Sequence, residues 1–436
     1  MRREKKQFAI ALAAVAAVCL AFTGCSQTGG GTPSGNADSG NLNFVYMGDA
    51  TQQKAFNALF AEFNKDHPKI KLKAVGIPSG NWATFSTTVA TRLAGGEKID
   101  IIQVATEGQR LFASKGILEN LDPFIDRDKD AVDDYYSDIN PNLKKFSNKF
   151  ASGPKGETVF IPGGFNTMGM YLNKDVFAAA GVPIPADGKW TWDQFVADGK
   201  KIKEKTGAYI TAVGSGYFTD VMPWLTTNGA STFNSDWTKP SYNSAAAIKS
   251  AEFARSLVEM GLSPQPGGQF DGPSAYKQGK LAILGGGRWP VLSVRDLNMV
   301  GKTVVVNWPT ETRSGSPVGW DAWDITKNSQ NKAAAWTFIK FLMSKQAGEY
   351  FAKIGGTTVP ARQSVAKSPA FTDNAPEGSV RLSEAMSFAT PIPSIDQGAQ
   401  AQKVIEQAWA TIIAGQGGAK PTLDAAQTAL ESLLRD

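Results

Sequence analysis

The feature that most constrains the fold is a regular alternation of strand and helix patterns near the start of the main body of the chain. Residues 42–46 and 99–104 are short apolar runs typical of buried strands, and apolar residues alternate with lysines over residues 70–74. Residues 51–67 and 82–93 carry apolar residues at helical spacing. This succession predicts a parallel sheet covered by helices, an α/β fold.

A second set of such patterns lies later in the chain and predicts a second α/β lobe. Thr191 to Gln194 form a capping box that opens a helix, and the apolar residues between Ala335 and Leu342 form another helix face. Residues 209–213, 281–284 and 303–307 have the composition of strands. A chain of 436 residues is long enough for two or three domains of ~150 residues each.

The first forty residues have a different character. Residues 1–7 are basic and residues 8–22 are apolar, a run shorter than the roughly 17–25 residues of a membrane-spanning helix. This predicts a secretory signal peptide over residues 1–24. The residues before Cys25 resemble the lipobox of bacterial lipoproteins, with Phe22 in place of leucine, which implies that Cys25 is lipidated. Residues 25–40, rich in glycine and serine, would then be a flexible tether on the extracytoplasmic face of the cell membrane.

The residues that most enzyme classes require are scarce. His67 is the only histidine, so a histidine-based zinc site or a His-dependent triad is not expected, and no phosphate-binding loop is present. The acidic segment at residues 126–137 lacks the Gly and Glu of a calcium loop and is predicted to be a solvated loop and helix cap. We therefore predict no cofactor and no metal, although a carboxylate pair for glycoside hydrolysis has no sequence signature and stays open.

Charge and aromatic content favour a neutral ligand. The formal charge is +5, of which the signal region carries +3, and the signs are interspersed, so no nucleic-acid partner is expected. Eleven tryptophans are present, several beside Gly, Pro, Asn or Asp. An indole offers an apolar plate, and neighbouring amides and carboxylates offer hydrogen bonds, a combination that suits sugars. Trp192 and Trp336, which lie within helical patterns, are predicted to be structural.

Several landmarks occur in an order that resembles a known family. They are FAEFNKDHPKIKLKAV (residues 60–75), IDIIQVATE (99–107), GILENLD (116–122), YLNKDVFAAAG (171–181), TWDQF (191–195), YKQGKLAI (276–283) followed by GRW (287–289), AWTFIKFL (335–342) and a Gly–Pro segment at 356–361. Residue 99 is Ile where the family has Pro. The chain resembles the extracellular solute-binding proteins of ATP-binding-cassette (ABC) importers, in the group with maltose-binding protein.

The resemblance implies a two-lobed fold of the periplasmic-binding-protein type (type II), with a ligand cleft between lobes that a hinge connects. Lobe 1 would comprise residues 41–163 and 309–360, and lobe 2 residues 164–308 and 361–436. The resemblance places ligand contacts at Asp49, Asn81, Trp82, Glu107, Asn166, Thr167, Tyr217, Trp224, Trp289, Gly319, Trp320, Asp321 and Arg362. Glu107 matches the family's cleft acid, and Trp289 matches its stacking residue.

The implied function is capture of a carbohydrate, an oligosaccharide, by a monomer without catalysis, followed by delivery to the transmembrane permease subunits of an ABC transporter. A phosphate ligand would need more than Arg288 and Arg362, and a polyamine would favour Asp49, Glu107 and Asp321 acting together. Binding of such a non-sugar solute stays open as an alternative. A surface glycan-active enzyme and a lipoprotein adhesin or assembly factor are further alternatives.

Overall fold

The computed structural model describes residues 35–48, 50–186, 190–354 and 356–435. The predicted signal peptide, Cys25, most of the predicted tether and Asp49 lie outside these residues. The last part of the predicted tether lies against the body, because the Ala37 carbonyl accepts a hydrogen bond from Thr337 Oγ1 at 2.9 Å.

The strands form two sheets. They are β1 (Gly40–Met47), β2 (Ile70–Ile77), β3 (Ile101–Ala105), β4 (Ile161–Thr167), β5 (Gly169–Asn173), β6 (Ile283–Gly286), β7 (Thr303–Asn307), β8 (Ser316–Ile325) and β9 (Ala389–Pro391). The first sheet has the order β2-β1-β3-β8-β4 with β9 on β8, and the second has the order β6-β5-β7. β1 pairs in parallel with β2 and β3, as predicted, whereas β8 runs antiparallel to β3 and β4.

Helices cover both sheets. They are α1 (Ala50–Phe63), α2 (Trp82–Ala94), α3 (Thr106–Ser114), α4 (Asp122–Arg127), α5 (Lys129–Asp138), α6 (Pro141–Phe150), α7 (Lys174–Ala179), α8 (Trp192–Thr206), α9 (Met222–Thr227), α10 (Ala245–Glu259), α11 (Gly272–Lys277), α12 (Pro290–Asp296), α13 (Lys332–Met343), α14 (Lys345–Ile354), α15 (Gln363–Ala366), α16 (Pro369–Thr372), α17 (Arg381–Glu384), α18 (Gly398–Ile413) and α19 (Ala419–Leu433). Short helical turns occupy Tyr217–Val221, Val300–Lys302 and Ala385–Phe388. No helix among the described residues combines the length and apolar character needed to cross a bilayer.

Local signals in the sequence explain where several elements begin. Thr191 caps α8, since its hydroxyl accepts from the Gln194 N–H at 3.2 Å, which confirms the predicted helix start. The Gln194 side chain donates to Asp198 Oδ1 at 2.9 Å, so these bonds form the N-cap half of the predicted capping box. Trp192 and Trp336 are buried, as predicted, and Trp336 Nε1 donates to Asp128 Oδ2 at 2.7 Å. The helices α2, α8 and α10 therefore begin at a capping side chain, and each buries one face in the core.

Two local predictions were wrong. Residues 209–213 do not form a strand: only Tyr209 makes an isolated bridge, to Leu281. The acidic segment at residues 126–137 is mainly helical, because Val132 and Tyr135 turn one face of α5 into the core while the acids stay on the other face. Acidic residues on a solvated helix face were mistaken for a loop.

The chain passes directly from one sheet to the other. β4 ends at Thr167 and β5 begins at Gly169, so only Met168 separates the two strands. The Met168 N–H donates to Ser316 Oγ at 2.8 Å, and Thr167 Oγ1 donates to the Leu382 carbonyl at 2.5 Å. We call the part built on the first sheet the first lobe and the part built on the second sheet the second lobe. The exact residue boundaries predicted for the lobes stay a prediction.

Candidate functional site

The ends of strands from both sheets meet at the passage between the lobes. Asn166 of β4 pairs with Gly319 of β8, and Gly169 of β5 pairs with Gly286, the last residue of β6. The carboxyl ends of β3 and β4 therefore face the turn that follows β6. We call this boundary the seam and define it by Glu107, Asn166, Tyr217, Phe218, Trp289 and Gly319.

The aromatic part of the seam is formed by two half-buried rings. Trp289 precedes α12, directly after β6, and its ring centroid lies 6.2 Å from that of Phe218. A Cβ atom at Gly319 would stand 3.4 Å from the Phe218 ring, an ordinary van der Waals distance, so this part of β8 lies next to the ring. The sequence analysis named Tyr217 as a ligand contact but did not name its neighbour Phe218. The sequence signal for Phe218 is that both residues belong to the same Gly-Tyr-Phe segment.

Asn166 fixes the turn that carries Trp289. Its Oδ1 accepts from the Arg288 N–H at 2.8 Å, and its Nδ2 donates to the Thr357 carbonyl at 3.1 Å. Arg288 in turn donates from Nη2 to the Phe371 carbonyl at 2.8 Å and lies over the Phe371 ring. Asn166 therefore joins a strand of the first lobe to a turn of the second. Thr167, the next residue, is fully buried, and its hydroxyl donates a hydrogen bond to the Leu382 carbonyl.

A polar group of the seam surrounds Glu107. Glu107 and Tyr217 line a small cavity of about 10 Å³ together with Gln402 of α18. Glu406 accepts from the Tyr217 N–H at 2.9 Å and from Gln402 Nε2 at 2.8 Å, so its position is fixed. Burial raises the pKa of Glu107 to about 7, and the negative charge of Glu406 adds to the rise. Gln402 Oε1 is buried without a hydrogen-bond partner among the described residues.

The lobes also contact each other beside Glu107. Ser394 Oγ donates to the Glu107 carbonyl at 2.8 Å, and Arg110 of α3 pairs with Asp396 at 3.1 Å, just before α18. α18 packs on α10 and α19. This side of the seam therefore joins α3 of the first lobe to the start of α18.

Asp321 and Arg362 lie together, in a recess of the first lobe rather than at the seam. Asp321 is 6% exposed, and its Oδ2 accepts from Gln103 Nε2 at 2.5 Å. Burial raises the pKa of Asp321 to about 6, partly opposed by this hydrogen bond. Arg362 pairs with Asp134 at 2.6 Å and with Asp138 at 3.2 Å.

The remaining predicted contacts lie in the core or at a helix start. Trp224 is 2% exposed and Trp320 is 1% exposed. Trp224 contacts the rings of Trp192, Phe195, Phe253 and Trp308. Trp320 lies next to Phe146, with centroids 6.2 Å apart, and its backbone N–H donates to Thr106 Oγ1. The burial of both indoles favours a structural role, so the proposed site does not include them.

Asn81 and Trp82 form the start of α2. Asn81 is the N-cap and accepts from the Thr84 N–H at 2.8 Å, which uses its side-chain oxygen. Trp82 is half-buried and packs edge-on against Phe85, with centroids 5.4 Å apart. Within the described ranges, no group of acidic, histidine and cysteine side chains could hold a metal ion.

Comparison with known proteins defines the class to which this fold and seam belong. A sequence model of the family described as "Bacterial extracellular solute-binding protein" matches residues 48–349. The chain belongs to this family. The match begins just after β1 and ends within α14, so it covers every strand of the two sheets except β1 and β9.

Individual relatives are distant, and the share of this chain that they cover varies. A putative binding protein of Brucella abortus is 25% identical over 416 residues, 92% of this chain and 95% of that protein. A lactose-binding protein of Rhizobium radiobacter is 23% identical over 211 residues, 45% of this chain and 48% of that protein. The structure of an ABC substrate-binding protein of Listeria monocytogenes in complex with cycloalternan has a TM-score of 0.77 at 21% identity, covering 91% of this chain and 99% of that one. The predicted two-lobed α/β fold is thereby confirmed.

Proposed function

We propose that this protein captures a carbohydrate, an oligosaccharide, at the seam between its lobes and presents it to an ABC permease without converting it. The observation that carries the proposal is the pair of half-buried rings, Trp289 and Phe218, at the meeting point of the two lobes. A sugar ring has apolar C–H faces that pack on such rings and hydroxyls that bond to nearby polar groups. The names of relatives that bind lactose and cycloalternan support the same ligand class.

The charged groups support a neutral ligand over a phosphorylated one. Arg288 and Arg362 are the two cations that a phosphate would require, and they are 2% and 8% exposed. Arg288 lies over the Phe371 ring, and Arg362 is paired with two carboxylates. Neither guanidinium is exposed at the seam, and the exposed Arg110 on its α3 side is already paired with Asp396, so an anionic ligand would find no unpaired exposed arginine among the described residues there.

A polyamine is also a poorer fit. Glu107 and Asp321 line separate cavities, so they do not form one acidic site for a chain of ammonium groups. The pKa values of both carboxyl groups are raised, to about 7 and about 6, because both are buried. Glu107, which is partly protonated near neutral pH, attracts a cation less strongly than an ionised carboxylate and can instead donate to a sugar hydroxyl.

The proposed mechanism is closure of one lobe on the other. Only Met168 separates β4 from β5, so a small backbone rotation there would move the second lobe relative to the first. A ligand favours the closed state only by the contacts that it gains there. Trp289 is on the second lobe and Gly319 on the first, so a ring held between them gains contacts on closure.

A titration against defined sugars tests this proposal. We expect the full chain to bind at least one of maltose, maltotriose, maltotetraose, lactose and arabinotriose by isothermal titration calorimetry, and to leave the sugar intact after prolonged incubation. Absence of binding to the whole panel would contradict the carbohydrate assignment. Release of shorter sugars would instead favour a glycan-active enzyme.

The anchor at Cys25 is part of the same proposal. A lipid at Cys25 would hold the protein next to its permease and raise the local concentration of loaded receptor there. We expect Cys25→Ala to move the protein from the membrane fraction to the soluble fraction, with unchanged sugar affinity of the purified protein. Equal membrane retention of the variant and the wild type would contradict the anchor.

A further inference from the structure

The recess in the first lobe is a separate, built pocket that the seam does not use. It lies between β3, β4 and β8 on one side and α1, α14 and residues 358–362 on the other. β4 has an irregular register at Gly163 and Gly164, where the strand lacks side chains. A Cβ atom at Gly163 would stand 3.0 Å from the Trp323 ring and 3.3 Å from the Asp321 carboxyl carbon. Gly163 therefore brings the backbone close to the indole and the carboxyl group, and Gly164 brings it close to Thr358 and the Val359 carbonyl.

The recess combines an incompletely bonded carboxyl group with aromatic walls. Asp321 Oδ2 is bonded to Gln103, whereas Oδ1 is buried without a hydrogen-bond partner among the described residues. A buried acceptor without a donor is costly, so it is a natural partner for a donor on a ligand. Trp323 and Phe351 are half-buried and form apolar walls.

The alternation of side chains along β8 is a sequence signal for Trp323, which the sequence analysis did not name as a ligand contact. Residues alternate between the two faces of a strand, so Asp321 and Trp323 of β8 lie on the same face. Gln103 of β3 pairs with Trp323, which places the amide on that face as well. A carboxyl group, an amide and an indole therefore share one small area of sheet.

The charged groups of the recess disfavour an anionic guest. The Arg362 guanidinium is held by Asp134 and Asp138 and lies over the Tyr135 ring, so it is already paired. An anion would in addition face the buried carboxyl group of Asp321. A neutral guest with hydroxyl donors can satisfy Asp321 Oδ1 without this penalty.

The size of the recess matches one ring. Its volume is about 70 Å³. A cavity needs roughly 10–15 Å³ measured in this way to hold one water, so the recess has space for several waters or a guest of about one ring. Two linked rings would not fit without movement of the walls.

We propose that this recess is an end subsite, which accepts one terminal sugar ring of the ligand captured at the seam. The two sites adjoin, because Asn166 of the seam donates to the Thr357 carbonyl and Thr358 lines the recess. Asp321 is also only two residues from Gly319 along β8. The subsite rests on the proposed function and adds that the protein recognises the end of an oligosaccharide, with Trp323 as the apolar plate and Asp321 as the acceptor.

Matched variants of the full chain test the subsite. For Asp321→Ala and Trp323→Ala, calorimetry measures the affinities for two sugars. One is the longest panel sugar that the wild type binds, and the other is the sugar one ring shorter. We expect the longer sugar to lose at least tenfold in affinity and the shorter sugar, held at the seam, to change less than threefold. Trp323→Phe keeps an aromatic wall and should recover part of the loss. Asp126→Ala, an exposed acid on α4, is the control and should change neither affinity.

The possible failures are distinguishable. Unchanged affinity of the longer sugar in both recess variants, or equal losses for the two sugars, overturns the subsite while the seam proposal stands. Loss of the longer sugar in the recess variants with no effect of Trp289→Ala would place the sugar in the recess without the seam, and this overturns both the seam proposal and the role of the recess as an end subsite. If the wild type binds no sugar of the panel, both proposals are overturned. Apo melting temperatures of all variants show whether a loss of affinity comes from unfolding.

Discussion

Two tryptophan sites that looked equivalent in the sequence have opposite surroundings in the structure. Trp224 lies inside a cluster of four other aromatic rings and is 2% exposed. Trp289 contacts one ring, Phe218, at the boundary between the lobes and is half-buried. Trp224 belongs to a short helix with all six residues buried, whereas Trp289 follows a strand end. Both residues are tryptophans, so the amino-acid type does not account for the difference in burial. The difference follows from the element that carries each residue.

The largest expected effect is loss of stability at the buried site. Trp224→Ala removes an indole from a packed cluster and should lower the free energy of unfolding by about 3–5 kcal/mol. Chemical denaturation of the apo protein measures this loss. Trp224→Phe keeps most of the packing and should lose less than half as much. A loss below about 1 kcal/mol for the alanine variant would show that the cluster is not the core that its burial indicates.

The next effect is loss of binding at the seam. Trp289→Ala should weaken binding of a panel sugar at least 30-fold, because a stacking surface is removed, which corresponds to about 2 kcal/mol. Without ligand, Trp289→Ala should also lower the free energy of unfolding, because the Trp289 ring is partly packed. This loss should be smaller than the loss in Trp224→Ala by at least about 2 kcal/mol. Calorimetry and denaturation of the same preparations measure both quantities. If Trp289→Ala destabilises as much as Trp224→Ala and binds normally, the contrast between the two sites fails.

A smaller effect comes from the carboxyl group at the seam. The pKa of Glu107 is raised from 4.5 to about 7, so the folded protein holds a proton that the unfolded chain releases at lower pH. The contribution of Glu107 to the free energy of unfolding is therefore greatest at low pH. It falls as the pH rises from about 4.5 to 7 and stays low above pH 7. Glu107→Gln cannot ionise and should be more stable than the wild type at pH 8 by about 1–3 kcal/mol, relative to their difference at pH 4.5.

Denaturation at pH 4.5 and pH 8 checks this prediction. Asp126→Ala is again a suitable control, because this exposed acid should leave the pH profile of the wild type unchanged. Parallel profiles for Glu107→Gln and the wild type would mean that Glu107 is well solvated. In that case the seam beside Tyr217 and Gln402 would be more open than the structure indicates.

The sequence was informative where periodicity and capping determine local structure. The alternation at residues 42–104 gave the parallel strands β1, β2 and β3, and Thr191 gave the start of α8. It was uninformative where burial depends on distant residues. Trp224 becomes a core residue because Phe253 and Trp308, 29 and 84 positions away, close around it.

The candidate site was harder to predict than the fold for the same reason. Asp321 and Gln103 are 218 residues apart and meet only because β8 runs antiparallel to β3. Phe218 is aligned with Trp289 by the turn that Asn166 holds. Such juxtapositions depend on strand order and on hydrogen bonds across the passage between the lobes, and neither leaves a pattern at short range in the sequence.

A crystal structure of the protein with the tightest-binding panel sugar tests the central claim most directly. We expect one sugar ring to lie flat against the Trp289 indole at the seam, with its hydroxyls bonded to side chains of both lobes. A sugar bound elsewhere on the chain, with Trp289 and Phe218 still facing each other and no ring between the lobes, would contradict the account.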